Sequence, residues 1–285
     1  MKDLSQATTT AFRGAKVILG DDIVETDVLI CGDRIEAVGT APKADREVDG
    51  RGLFLGPALV DLHGDAFERQ VMPRPGVFFP LDAAILETDR QLAANGIATA
   101  YHAVTLGWEP GLRAVERGRA FLAALARLAP RLTVENRVQL RWETFGFEAM
   151  ALIEETLRTS PLVPSLAFND HTSMTVRAFN QPIQKRLFEQ NPEFAVADLD
   201  DTRMLRRVGS TAQRSGLSAD VYIELLKDIW ARRPEVDGMI RHLAGVARAV
   251  GAPMLSHDDT QIETRNYYRA LGCTLSEFPM TLPTA

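Results

Sequence analysis

At 285 residues, with 46% hydrophobic and 25% charged residues, the chain is long enough to bury a substantial core. Its formal charge of −6 argues against general nucleic-acid binding, which favours a basic face, while leaving room for a local arginine cluster that holds a small anion. Two cysteines, Cys31 and Cys273, are too few for a disulfide framework and suit a reducing compartment. The start, Met1-Lys2-Asp3-Leu4-Ser5-Gln6, has no apolar signal core, and no segment approaches a membrane span. A cytoplasmic protein with no membrane partner is expected.

Residues 15–55 read as short strands. Lys16-Val17-Ile18-Leu19, Asp27-Val28-Leu29-Ile30 and Arg34-Ile35-Glu36-Ala37-Val38 are β-rich, and Gly20-Asp21-Asp22 and Gly32-Asp33 supply turns between them. After Pro57 the pattern changes to strands alternating with longer helical stretches. Apolar residues recur at helical spacing over 82–95, 110–129, 147–159, 218–232, 235–250 and 260–271. Strands are expected over 97–104, 137–143, 164–169, 252–256 and 273–278. Such alternation predicts a parallel sheet, and at this length a barrel. Residues 180–216 have mixed charge and no clear period, as an insertion over the site or a mobile loop would.

In parallel α/β barrels the chemistry sits at the C-terminal ends of the strands. Metal-capable residues gather at those predicted ends. Gly56-Pro57-Ala58-Leu59-Val60-Asp61-Leu62-His63-Gly64-Asp65 ends in a His and an Asp at alternate positions, which share one face of a strand. Glu143 ends the 137–143 strand, Asp170-His171 follows Asn169, and His257-Asp258-Asp259 follows Ser256. Imidazole and carboxylate ligands suit zinc, manganese or iron without selecting among them. Asp258 and Asp259 are candidates to orient a water and accept its proton, or to cap a helix starting at Thr260. His242 falls inside a helical pattern and reads as a surface residue. His102 reads either as core or as a substrate contact. Arg69, Arg74 and Arg141 lie close to the metal-capable residues, and guanidinium groups match phosphate oxygens in bidentate geometry. Pro73 and Pro75 would hold Arg74 in an extended loop.

Together the motifs resemble one branch of the amidohydrolase superfamily, the alpha-D-ribose 1-methylphosphonate 5-triphosphate diphosphatases of phosphonate catabolism. The markers are Leu62-His63-Gly64-Asp65 with Glu68-Arg69 and Met72-Pro73-Arg74-Pro75, then Asn169-Asp170-His171-Thr172, Ser256-His257-Asp258-Asp259-Thr260 and Ser276-Glu277-Phe278-Pro279. The resemblance implies an α/β fold: a distorted TIM-like (β/α) barrel with a small N-terminal β domain. Residues 1–56 would form the N-terminal half of a β-sandwich, and residues 57–285 a hydrolase barrel whose C-terminal part is missing. It maps His63, Asp65, Glu143, His171 and His257 onto metal-ligand positions for one or two divalent ions, zinc or manganese. It implies release of pyrophosphate from a phosphorylated ribosyl phosphonate, with homo-oligomer formation left open. Two departures stand out. Ser173-Met174-Thr175 replaces the family's Pro-Gly-Gln run, and the chain stops at Ala285, before the last-strand Asp that binds metal and accepts a proton in the family. Two other functions stay open: hydrolysis of a carbon–nitrogen bond in a cyclic amide or N-acyl compound, and a non-catalytic paralogue that binds phosphorylated ligands.

Overall fold

A computed structural model describes residues 7–285. The chain divides into two compact units between Leu59 and Val60. The first is a β unit. Strands β1 (Thr9–Leu19) and β2 (Asp22–Cys31) pair antiparallel through the turn at Gly20 and Asp21, and β3 (Arg34–Val38) pairs with β2. Strands β4 (Arg46–Asp49) and β5 (Phe54–Leu55) run parallel to β1. Its core is small: Ala11, Leu29, Ala41 and Ala44 form one cluster, and Ala15, Val17 and Val28 another. Arg13 ties three segments together, reaching Asp27 on β2 and Glu47 on β4.

The second unit is built on six strands: β6 (Leu59–Gly64), β7 (Ile97–Leu106), β8 (Glu135–Glu143), β9 (Ser165–Asn169), β10 (Met254–His257) and β11 (Leu275–Glu277). They lie in chain order across one sheet, and β7 through β11 pair in parallel. Parallel neighbours need crossovers, and helices supply them. These are α1 (Ala66–Val71) and α2 (Leu81–Ala94), α3 (Val115–Leu128), α4 (Met150–Thr159), then α5 (His171–Val176), α6 (Thr202–Arg214), α7 (Ala219–Ala231) and α8 (Arg233–Ala249), and finally α9 (Ile262–Ala270). Helix α8 shows how the pattern dictates packing. Val236, Ile240, Leu243, Ala244 and Ala247 share one stripe at helical spacing, and all are fully buried. They join Leu140, Trp142, Leu166 and Phe168 of the sheet in the main core.

The sheet is curled. Six flat strands spaced roughly 4.8 Å apart would hold their edges about 24 Å from each other. Yet His63 on edge strand β6 and Glu277 on edge strand β11 lie 3.1 Å apart. The fold is therefore mixed α/β with a parallel half-barrel sheet, and β6 and β11 remain the two ends of its hydrogen-bonded order.

Three details differ from the periodicity. The helix expected from 110 begins at Val115, because Pro110 and Gly111 (φ 94°) turn the chain first. The helix expected from 260 begins at Ile262, and neither Asp258 nor Asp259 caps it; Asp258 has φ 55° and Gln261 takes the cap position. The aperiodic 180–216 stretch contains α6, which has an Asp201 cap on the Arg203 amide and buries Met204, Val208 and Ala212. These pack with Val176, Phe194, Tyr222 and Leu226 into a second core. Among the described residues no helix is long and apolar enough to cross a membrane.

Candidate metal centre and anion cavity

The curl brings three strand-end side chains together. One ligand atom each from His63, His257 and Glu277 lie within 4.8 Å of one another, the geometry needed to hold a metal ion. Glu277 is fixed from behind: Gln139 on β8 donates to its Oε1 at 2.8 Å. His257 is 6% exposed, and neither of its ring nitrogens has a hydrogen-bond partner. Asp258 Oδ2 lies 2.7 Å from its Nδ1, but off the ring's donor direction. Buried polar atoms are rarely left this way, so an imidazole with two idle nitrogens beside another imidazole and a carboxylate fits a divalent cation.

A second set adjoins the first through Asp258. His171 Nδ1 lies 3.1 Å from Glu143 Oε2, its backbone amide donates to Glu143 Oε1 at 2.6 Å, and its Nε2 lies 3.6 Å from Asp258. Burial disfavours the charged imidazole, but Glu143 and Asp258 outweigh it and push His171 up to about 9. Glu143 and Asp258 thus set two carboxylates within 3.6 Å of this imidazole, a concentration of negative charge that would also suit a cation. At His257 burial prevails over Asp258 and lowers the pKa. Asp258 is held far below the usual carboxylate range, since the neighbouring His171 and His257 imidazoles outweigh its burial.

Backbone strain marks the same place. Asp258 (φ 55°) and Phe278 (φ 49°) are the non-glycine residues with positive φ among the described residues, and each directly follows a member of the triad. The Asp258 amide donates to the Glu277 carbonyl at 2.9 Å, which locks the two turns together. Glycine 146 allows an equally close approach beside Glu143. A Cβ there would stand 2.9 Å from both the Glu143 and the Leu106 carbonyl oxygens.

Of the expected ligands, His63 and His257 meet in the triad, while Glu143 and His171 form the adjoining pair. Asp65 lies beyond the end of β6, at the start of α1, and lines the neighbouring cavity, so it does not share a strand face with His63. Glu277 takes the third place in the triad. It could have been found by the rule that singles out Glu143, a carboxylate closing a strand. Asp259 is fully buried and accepts hydrogen bonds from Ser256 (2.5 Å) and Ser276 (2.7 Å), so it braces β10 against β11 rather than lining the cavity. His102 is 2% exposed, edge-on to Phe67 and Phe121, with Nε2 2.6 Å from Asn136 Oδ1, and burial lowers its pKa. It is a core residue and makes no approach to the cavity.

The cavity beside His171 holds about 500 Å³. Asp65, Glu143 and His171 line one side, and five arginines reach it: Arg113, Arg141, Arg177, Arg207 and Arg214. Arg141 is the one expected from sequence; it is buried on β8 and its Nε donates to Asn169 Oδ1 at 3.3 Å. Arg69 lines a smaller cavity of about 160 Å³ next door, and Arg74 sits exposed in a turn that bridges to Val77. The other four arginines carry no local signal, because the loop after β7 and the region from α5 to α6 bring them in from afar.

No protein-family model matches the chain. It is 24% identical, over 274 residues, to the alpha-D-ribose 1-methylphosphonate 5-triphosphate diphosphatase of Escherichia coli (strain K12), covering 95% of this chain and 66% of that protein. A 146-residue stretch, half of the chain, is 32% identical to an adenine deaminase of Cereibacter sphaeroides, of which it covers 22%. Among solved structures a D-hydantoinase matches 94% of the chain and 56% of its own length, with 15% identity and a TM-score of 0.44. The chain thus spans about two thirds of the diphosphatase's length and little over half of the hydantoinase's. Along nearly its whole length, the chain resembles the ribose-methylphosphonate triphosphate diphosphatase of E. coli.

Proposed function

We propose that the chain carries the catalytic centre of a metal-dependent hydrolase that cleaves a phosphoric anhydride, releasing pyrophosphate from alpha-D-ribose 1-methylphosphonate 5-triphosphate. The observation that carries this reading is the arginine-lined cavity opening directly onto the His and carboxylate groups. A cyclic amide would need no such concentration of positive charge; a triphosphate would. The likeness to the E. coli diphosphatase points the same way.

In this reading His63, His257 and Glu277 hold a divalent ion, zinc or manganese, and a second ion would draw on Glu143, His171 and Asp65, of which Glu143 and His171 are already adjacent. Such an ion, when bound, makes a water more acidic and offsets charge on phosphoryl oxygens. The chain's own residues do the rest. Gln139 fixes Glu277, and Asp258, kept ionised, orients His171 and His257. Arg141 lines the same cavity as Glu143 and would meet the phosphate next to the sugar. The water oxygen would form a bond to that phosphorus, its proton passing to the Asp258 carboxylate, while the bridging P–O bond breaks and its electron pair leaves with pyrophosphate, whose charge the arginines neutralise.

The test is pyrophosphate release from the ribosyl triphosphate by metal-loaded protein, with ATP as comparison. Selective release is expected, and its absence from folded, metal-loaded protein would overturn the reading. A second reading, carbon–nitrogen hydrolysis, is favoured by the 32% identity to adenine deaminase over half of the chain. Ammonia release from adenine, or ring opening of a cyclic amide, without pyrophosphate release from the triphosphate, would establish it instead.

A further inference from the structure

We infer that one face of α6, formed by Arg207, Thr211 and Arg214 and joined by Arg177, is a subsite for the distal phosphates of a polyphosphate tail. It rests on the phosphoric-anhydride reading and adds to it the residues that would measure the tail's length.

Three observations carry it. First, spacing: positions 207, 211 and 214 fall at i, i+4 and i+7, one stripe of the helix, and all three line the 500 Å³ cavity. The adjacent stripe, Met204, Val208 and Ala212, is buried in the second core, so the helix's rotation is fixed and the arginine stripe borders the cavity. Second, pairing: Arg113 is bound by both oxygens of Glu68, at 3.1 Å each, but Arg141, Arg177, Arg207 and Arg214 form no ion pair with any carboxylate among the described residues. Elsewhere on the chain arginines are routinely paired, as Arg127 with Asp82 and Arg203 with Asp201 show. Arg141 is buried and Arg177 and Arg207 are half-buried, and gathering like charges without counter-charge is unfavourable, which an anionic ligand would relieve. Third, anchoring: Arg177 donates to the Met174 and Gln181 carbonyls, Arg207 donates to the Thr175 and Arg177 carbonyls, and Arg207 stacks over Phe179 at 4.4 Å. Their guanidinium groups are held in place before any ligand arrives, which favours tight anion binding.

Of the three acidic groups that line the cavity, Asp65, Glu109 and Glu143, two are already engaged. Glu143 is taken up by His171, and Glu109 accepts the Tyr222 hydroxyl and is pushed up by its burial. The phosphate next to the sugar would therefore lie toward Arg141 and the metal ligands, and the terminal phosphates toward α6.

The test is calorimetric titration of inorganic tripolyphosphate, and separately of inorganic phosphate, into the full chain without added metal. Wild type is expected to bind tripolyphosphate at least about 10-fold more tightly than phosphate. Arg214 makes one long hydrogen bond, 3.5 Å to Thr211, so its removal leaves the fold intact. Arg214→Ala should weaken tripolyphosphate binding about 10- to 100-fold and phosphate binding far less. Arg207→Gln should act in the same direction, and Arg119→Ala, an exposed residue of α3 outside the cavity, should change nothing. Equal tripolyphosphate affinity in wild type, Arg214→Ala and Arg207→Gln would overturn the subsite, as would a wild type that binds neither anion. If tripolyphosphate binding depends on these arginines while no pyrophosphate is released from the ribosyl triphosphate, the subsite stands and the proposed reaction falls.

Discussion

His257 is buried with both ring nitrogens idle, whereas the core histidine His102 has its Nε2 satisfied by Asn136. That contrast separates a ligand from a packing residue more sharply than burial does, since both are nearly inaccessible. His257→Ala should therefore lower zinc affinity by at least about 100-fold, read by competition with a chromogenic chelator, while the far-UV circular dichroism stays unchanged. Unaltered zinc affinity would remove His257 from the centre. Gln139→Leu probes the support behind the centre: losing the 2.8 Å bond to Glu277 should cost about 10- to 100-fold in metal affinity, and an effect on stability alone would assign Gln139 to packing.

Helix α5 is only six residues long, yet it begins with His171 and its position decides where that imidazole points. Two devices hold it. Asp170 caps it by accepting the Ser173 amide at 2.8 Å, and Arg186, from the loop before α6, reaches Asp170 at 2.9 Å. Both partners of that ion pair are almost wholly buried, and Glu189 beside them is pushed up to about 8 by burial and then by the charge of Asp170. Removing one member of a buried pair leaves the other without compensation. Arg186→Leu should destabilise the chain by about 3–5 kcal/mol in urea unfolding. A loss under about 1 kcal/mol would show that the pair contributes nothing beyond what apolar packing supplies. The same loop also receives the Thr260 hydroxyl on the Arg186 carbonyl at 2.7 Å, so the segment between α5 and α6 is coupled to the strand-end region after β10.

The metal triad draws on β6, β10 and β11, which include both edges of the sheet. An ion held there acts as a clasp across a sheet that its backbone hydrogen bonds leave open between β6 and β11. Metal bound at 100 times its dissociation constant should stabilise the chain by about 2.7 kcal/mol, so chelation should lower the thermal midpoint by several degrees. His63→Ala should melt at the same temperature with and without chelator. A wild type whose midpoint ignores chelator, although it binds zinc stoichiometrically, would place the metal away from the clasp.

Local chemistry was enough to indicate the alternation of strands and helices and the strand ends where metal-capable residues gather; of the residues that the resemblance put forward as ligands, His63 and His257 lie in one set and Glu143 and His171 in an adjoining one. Periodicity and strand-closing His or carboxylate residues are short-range signals, and a residue's neighbours in the chain largely settle them. The curl of the sheet is a different matter. It sets Glu277 against His63 across 214 positions of sequence, and it leaves Asp65 outside the triad because β6 ends one residue too soon. The anion cavity is likewise a product of packing. Arg74, held between two prolines, looked placed for phosphate and stands in an exposed turn, whereas Arg207 and Arg214 lay in a stretch with no readable period. The rotation of α6 turns on Met204, Val208 and Ala212 finding Tyr222 and Leu226, and only that burial points its arginines at the site. Which residues can do chemistry is a property of their own side chains; which of them share one cavity depends on contacts between distant segments, and those form only when the core closes.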